Sequence, residues 1–160
     1  MIALTLICVG KLKEQYYKDA VREYMKRLGG YCKAEIIELP ETRLADSPTQ
    51  AQVTDALEKE GDMILRKIPK GAVVAAMCIE GKMSSSEELA EDFRREMIGG
   101  ASKFVFIIGG SFGLSSKVKT SADKCLSMSK MTFPHHLARV MLLEQVYRAF
   151  KIIEGSTYHK

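Results

Sequence analysis

The stretch FVFIIGGSFGLS at 104–115 constrains this chain more than any other. The strand it predicts, 103–108, is apolar at every position but Lys103 and is built from valine, isoleucine and phenylalanine. That is the composition of a central strand in a parallel sheet, buried on both faces. Gly109 and Gly110 follow directly, so the strand ends in a turn whose backbone carries no Cβ. Parallel strands need crossover connections of about a dozen residues or more. The remaining sequence has to supply them.

Alternating helix and strand signals do so. Residues 2–9 read as a first buried strand, closed by Gly10. Residues 14–28 read as a helix, with Tyr17, Ala20, Val21, Tyr24, Met25 and Leu28 at three- and four-residue spacing and Gly29–Gly30 behind. A second strand spans 32–39 and ends at Pro40. The polar run 41–49 reads as a loop, and a helix follows over 50–67, weakened a little by Gly61. The strand 73–79 gives way to a turn starting at Gly81. Ser84–Ser86 cap a helix that runs to about Met97. After 103–108 come a short helix from about Ser115 to Lys124, a strand-like segment 125–131 and a final helix 136–153. The whole is one α/β domain over 1–160, a mainly parallel sheet with helices on both faces.

The formal charge of +4 permits an anionic partner such as RNA without requiring one. The four cysteines Cys8, Cys32, Cys78 and Cys125 lack paired spacing. They read as small buried hydrophobes of a reducing compartment, the cytoplasm, and not as a metal site. The short apolar start MIALTLICVG reads as a strand and not a signal peptide, and no run of 18 apolar residues predicts a membrane span.

Two features carry chemistry. The glycine turn is either a plain tight turn or a place where a ligand meets the backbone beyond the carboxyl ends of the strands. Its spacing is neither the dinucleotide fingerprint nor a phosphate-binding loop, which argues against nicotinamide and nucleoside-triphosphate enzymes. The second feature is Arg139. On a helical wheel Leu143, Val146 and Phe150 lie within roughly 40° of it, so a guanidinium stands in an apolar stripe. An unpaired buried charge is expensive. Arg139 therefore either joins a buried pair or snorkels from the helix end, or it meets a substrate anion. Glu144 and Arg148 read as a simple surface pair four residues apart. His135 and His136 lack a third partner for a metal. Tyr158 and His159 form an aromatic tail that is either frayed or placed to stack on a base.

Four pieces together match a known pattern: VGKLK at 9–13, FIIGGSFGLS at 106–115, LSMSKMTFPHHLARVMLLEQVYRA at 126–149 and YHK at 158–160. Over its full length the chain resembles the small single-domain methyltransferases of bacterial ribosomes, members of the SPOUT class, that methylate N3 of a pseudouridine in large-subunit RNA. The resemblance implies a C-terminal deep trefoil knot, which no periodicity reveals. It implies S-adenosylmethionine as cofactor, held by Met77, Gly109 and the run Met128, Ser129, Lys130, Met131, Thr132 and Phe133. It implies Arg139, Tyr158 and His159 as catalytic or substrate-contacting residues. The implied partners are a second copy of the chain and 23S rRNA within the large subunit or the 70S ribosome, with no DNA and no membrane. Cys78 departs from the pattern, standing where some relatives carry an acidic residue. A cysteine is a weaker hydrogen-bonding group there.

N3 of pseudouridine is an imide nitrogen that must lose its proton before or during attack. Arg139 is the candidate to steady the resulting charge or a nearby phosphate, and His159 to accept the proton. Lys11, Lys13, Arg22 and Arg43 add phosphate attraction or are solvated surface charges. The alternative class is a non-enzymatic RNA-binding or ribosome-associated factor.

Overall fold

A computed structural model describes residues 1–159, with only the backbone of His159. Strands and helices alternate along the chain: β1 Ile2–Val9, α1 Gln15–Leu28, β2 Cys32–Leu39, α2 Gln50–Lys67, β3 Val73–Met83, α3 Ser86–Ile98, β4 Lys103–Ile108, α4 Ser116–Ser121, β5 Lys124–Ser127 and α5 His135–Ile153. A 3-10 turn over Thr157–His159 follows. The five strands form one sheet in the order β2-β1-β4-β3-β5, and every pairing is parallel.

Each helix start has a local cause. Thr49 and Gln52 form a reciprocal capping box on α2, and Ser85 and Glu88 form one on α3. Ser115 caps α4 by accepting the Val118 N–H. The apolar residues of the central strands divide between two faces. Leu4, Leu6, Cys8, Phe104, Phe106 and Ile108 pack against α1, α3 and α5 through Val21, Leu28, Phe93, Leu142, Val146 and Phe150. Ile7, Val9, Val105 and Ile107 pack against α2 and α4 through Ile64 and Val118. Burial on both faces is why β4 shows no alternation.

Two boundaries differ from the sequence reading. β3 does not stop at 79. It pairs with β5 up to Met77↔Leu126, bulges, and pairs again at Lys82↔Leu126 and Met83↔Ser127. Gly81 does not begin a turn but lies on β5. A Cβ there would stand 2.5 Å from the Leu126 carbonyl carbon and 2.7 Å from its nitrogen. The second difference is α4, which ends at Ser121 because Lys124 already belongs to β5.

Candidate cofactor pocket and its surroundings

Beyond the carboxyl ends of β3, β4 and β5 lies a cavity of about 740 Å³, within the size range of small-molecule sites. The turn after β4 gives one wall, Ile108–Leu114. This turn is tight: Gly113 N–H donates to the Gly110 carbonyl at 3.1 Å, and Gly113 has φ +84°. A Cβ on Gly109 would fall 2.3 Å from the Gly113 carbonyl oxygen, so the turn closes only over glycine. The bulge of β3 brings Met77–Glu80 to a second wall, and the segment after β5 brings Ser127–Ser129 and Met131–His135 to a third. In that segment Ser127 Oγ donates to the Ser129 carbonyl at 2.9 Å, and Ser129 Oγ accepts the Met131 N–H at 3.0 Å. The Ser127 and Ser129 hydroxyls are thus tied locally, and the apolar Met77, Ile79, Phe112 and Phe133 line the cavity beside them.

Among the residues assigned to the cofactor, Met77, Gly109, Met128, Ser129, Met131, Thr132 and Phe133 line this cavity; Lys130 is exposed and does not. Cys78 also lines it. Its thiol is pushed up to about 11 by burial first and then by the neighbouring Cys125 and Glu80, so it stays protonated and a poor nucleophile. Glu80 pairs with Lys119 at the cavity wall.

Arg139 does not line the cavity. Its side chain is 1% exposed. One terminal nitrogen donates to Glu38 Oε2 at 2.8 Å, the other to the Gly10 carbonyl at 3.2 Å, and Nε has no partner. Of the readings open from the sequence, the structure shows the buried pair. Glu38 also accepts the Leu12 N–H at 3.1 Å. Burial alone would raise the Glu38 carboxyl, but these bonds outweigh it and hold its pKa below the ordinary range. The pair therefore ties the first turn of α5 to the loop between β1 and α1.

Tyr158, in the 3-10 turn after α5, packs against another part of that helix. Its hydroxyl donates to Glu144 Oε2 at 3.1 Å, its ring meets Tyr147 edge-on at 5.1 Å, and Arg148 sits over it at 4.8 Å. Glu144 accepts from Arg148 at 2.7 and 3.0 Å. Tyr24 is pushed up to about 12, by burial first and then by its hydrogen bond to Glu144. Glu144 and Arg148 are thus not the simple surface pair their spacing implied. Their side chains are 18% and 25% exposed and belong to a four-residue cluster with Tyr24 and Tyr158. The side chain of His159 lies outside the described residues. Among the described residues, no three His, Cys, Asp or Glu side chains gather as a metal site, and no helix is long and apolar enough to cross a membrane.

A glycine turn and a wrapped loop beyond a parallel sheet define a fold, and comparison names it. A family model described as "Predicted SPOUT methyltransferase" matches residues 2–159. The chain belongs to that family. Two solved structures share the fold. One, from work on the 2-OH methylation of C/U34 on tRNA, has a TM-score of 0.56 at 18% identity, covering 96% of this chain and 98% of its own. The other, a probable methylase family protein from Haemophilus influenzae Rd KW20, has a TM-score of 0.54 at 13% identity, covering 99% of this chain and 70% of its own. At such identities the likeness concerns the SPOUT fold and not the substrate.

Proposed function

We propose that this SPOUT methyltransferase uses S-adenosylmethionine to methylate N3 of a pseudouridine in 23S rRNA, acting in the cytoplasm on assembled ribosomes. One observation carries the reading. In a chain of this family, a cavity of about 740 Å³ gathers Met77, Gly109 and Phe133 from three separate segments at the carboxyl ends of the sheet. The cavity fits the cofactor in kind. Apolar side chains would flank its ring system, and backbone groups of 109–114 and 127–135 would be available to its polar atoms. When bound, the cofactor supplies an activated methyl group on a sulfonium. A trefoil knot that brings these loops together is part of the same proposal.

The chain's own residues have to bring the target nitrogen to the mouth of the cavity and take its proton. Tyr158 and His159 are proposed for this, and neither Tyr158 nor its cluster lines the cavity of its own chain. A second groove, lined by Ser84–Ser86, Met141, Glu144 and Gln145, shares Met77, Ser127 and Met128 with the cavity. We take this groove as the seat of a second copy, so that one copy holds the cofactor and the other presents its Tyr158 tail. Arg139 then acts from inside, holding the start of α5 against Gly10.

Titration calorimetry with S-adenosylmethionine tests the cofactor. Methylation of ribosomes lacking the modification, read by mass spectrometry of digested RNA, tests the substrate. A folded protein that binds no cofactor but binds ribosomes would be a non-enzymatic ribosome-associated factor. Light scattering tests the second copy, and a monomer at assay concentration would overturn the shared site.

A further inference from the structure

The loop between β2 and α2 reaches across the sheet to the glycine turn. Glu41 Oε1 accepts the Ser111 N–H at 2.8 Å, a contact spanning 70 residues of sequence. The fit is close: a Cβ on Gly110 would stand 2.5 Å from that oxygen and 2.9 Å from the Glu41 carboxyl carbon. The other oxygen faces Gly10, where a Cβ would lie 3.5 Å from Glu41 Oε2 and 3.6 Å from His135 Nε2. Since Ser111 and His135 both line the cavity, two of its walls meet at Glu41.

Glu41 is itself braced. The next residue, Thr42, donates its N–H at 2.9 Å to Glu60 of α2, a carboxylate only 5% exposed. Beside it, Gly61 lets α2 approach Ser115, the residue that ends the turn; a Cβ there would stand 2.5 Å from Ser115 Oγ. So α2 holds the turn from both sides, through Glu60–Thr42–Glu41 on one and Gly61–Ser115 on the other. Burial would raise the Glu41 carboxyl, yet its bonds from Ser111 and the nearby histidines leave it below the ordinary range, so it accepts as the carboxylate.

We propose that Glu41 is a positioning residue for cofactor binding: its braced carboxylate holds the Ser111 amide, and with it the 109–114 backbone, in the ligand-ready form. This rests on the cofactor reading above. A glycine-rich turn left free loses much conformational freedom on binding. Ordering it beforehand removes that cost from the binding step. A charge-assisted bond to the amide at the apex is strong enough to do so.

Two measurements separate this inference from the reading beneath it. In hydrogen exchange, Glu41→Ala is expected to speed exchange at the Ser111 amide by about tenfold or more, whether or not a cofactor binds. In calorimetry with S-adenosylmethionine, Glu41→Ala is expected to weaken binding about tenfold. Glu41→Gln, whose amide oxygen still accepts, should recover most of it. In turnover, KM for the cofactor rises while kcat at saturation holds. Unchanged Ser111 exchange in Glu41→Ala, or cofactor binding equal to the parent protein, overturns the proposal, as does a Glu41→Gln variant no better than Glu41→Ala. A parent protein that binds no cofactor overturns the methyltransferase reading, and the exchange arm alone then decides whether Glu41 orders the turn.

Discussion

Arg139 and Glu38, 101 residues apart in sequence, form an ion pair in which one partner is sealed and the other is not: the arginine side chain is 1% exposed, the glutamate 36%. The asymmetry predicts an unequal cost of breaking it. Removing Arg139 leaves a carboxylate that water still reaches. Removing Glu38 leaves a cation with no counter-charge in a sealed site. Glu38→Ala is expected to lower the unfolding free energy by about 3 kcal/mol, and Arg139→Met, which keeps most of the volume, by about 1–2 kcal/mol. Urea titrations of both variants check the order. Equal costs would mean that water reaches the guanidinium once Glu38 is gone.

Two glycines are expected to be intolerant for the same reason at two places. At Gly109 an added Cβ would meet the Gly113 carbonyl oxygen at 2.3 Å, and at Gly81 the backbone of Leu126 at 2.5 Å. Backbone cannot rotate away as a side-chain end can. Gly109→Ala and Gly81→Ala should each cost about 1–3 kcal/mol. Both should also weaken cofactor binding, because each displaces a wall of the cavity. Thermal melts and calorimetry read the two effects. A Gly109→Ala protein that binds as tightly as its parent would show that the turn can open without loss.

What could be read from the sequence follows physical range. The strands and helices were legible because burial imposes a period on neighbouring residues, and β4, apolar at every position after Lys103, placed the sheet class directly. Arg139 stood out because one charge broke an apolar stripe on its own helix. Its partner was not legible, since nothing local in Glu38 marks it as facing a residue 101 positions away. The Glu41–Ser111 contact was hidden likewise. Gly81 looked like a turn because a glycine's lack of a side chain serves turns and close backbone approach equally well. A knot would leave no periodic mark, and its expectation rests on family resemblance alone.

Gly61 shows where a local rule gives the wrong sign. Inside a helix, glycine to alanine is ordinarily stabilising by about 1 kcal/mol. In α2 the new methyl would lie 2.5 Å from Ser115 Oγ and 3.3 Å from Val118 Cγ2. Ser115 is 4% exposed and its hydroxyl caps α4. Gly61→Ala is therefore expected to destabilise by about 1 kcal/mol net, the helix gain being outweighed by overpacking of about 1–3 kcal/mol. A chemical denaturation curve decides the sign. A stabilised variant would mean that α2 and α4 separate without penalty.

His135 makes acid sensitivity a property of the cavity wall. Burial disfavours its cation first, and His136 and Arg139 on its own helix add to this, while Glu41 from the facing loop opposes it; the net pKa lies below the ordinary 6.5. The folded protein thus prefers neutral His135, and the unfolded chain takes up the proton more readily. Its contribution to stability is fully present above the ordinary histidine pKa and is lost as pH falls through it. Between pH 7.5 and 5.5 the unfolding free energy should therefore fall, and His135→Asn should flatten that slope while leaving Glu41 ionised. The same proton places a positive charge on the cavity wall. Affinity for a sulfonium-bearing ligand should drop over this window in the parent protein and stay level in His135→Asn. Calorimetry at several pH values measures both proteins, and parallel curves would show that His135 does not titrate at the site.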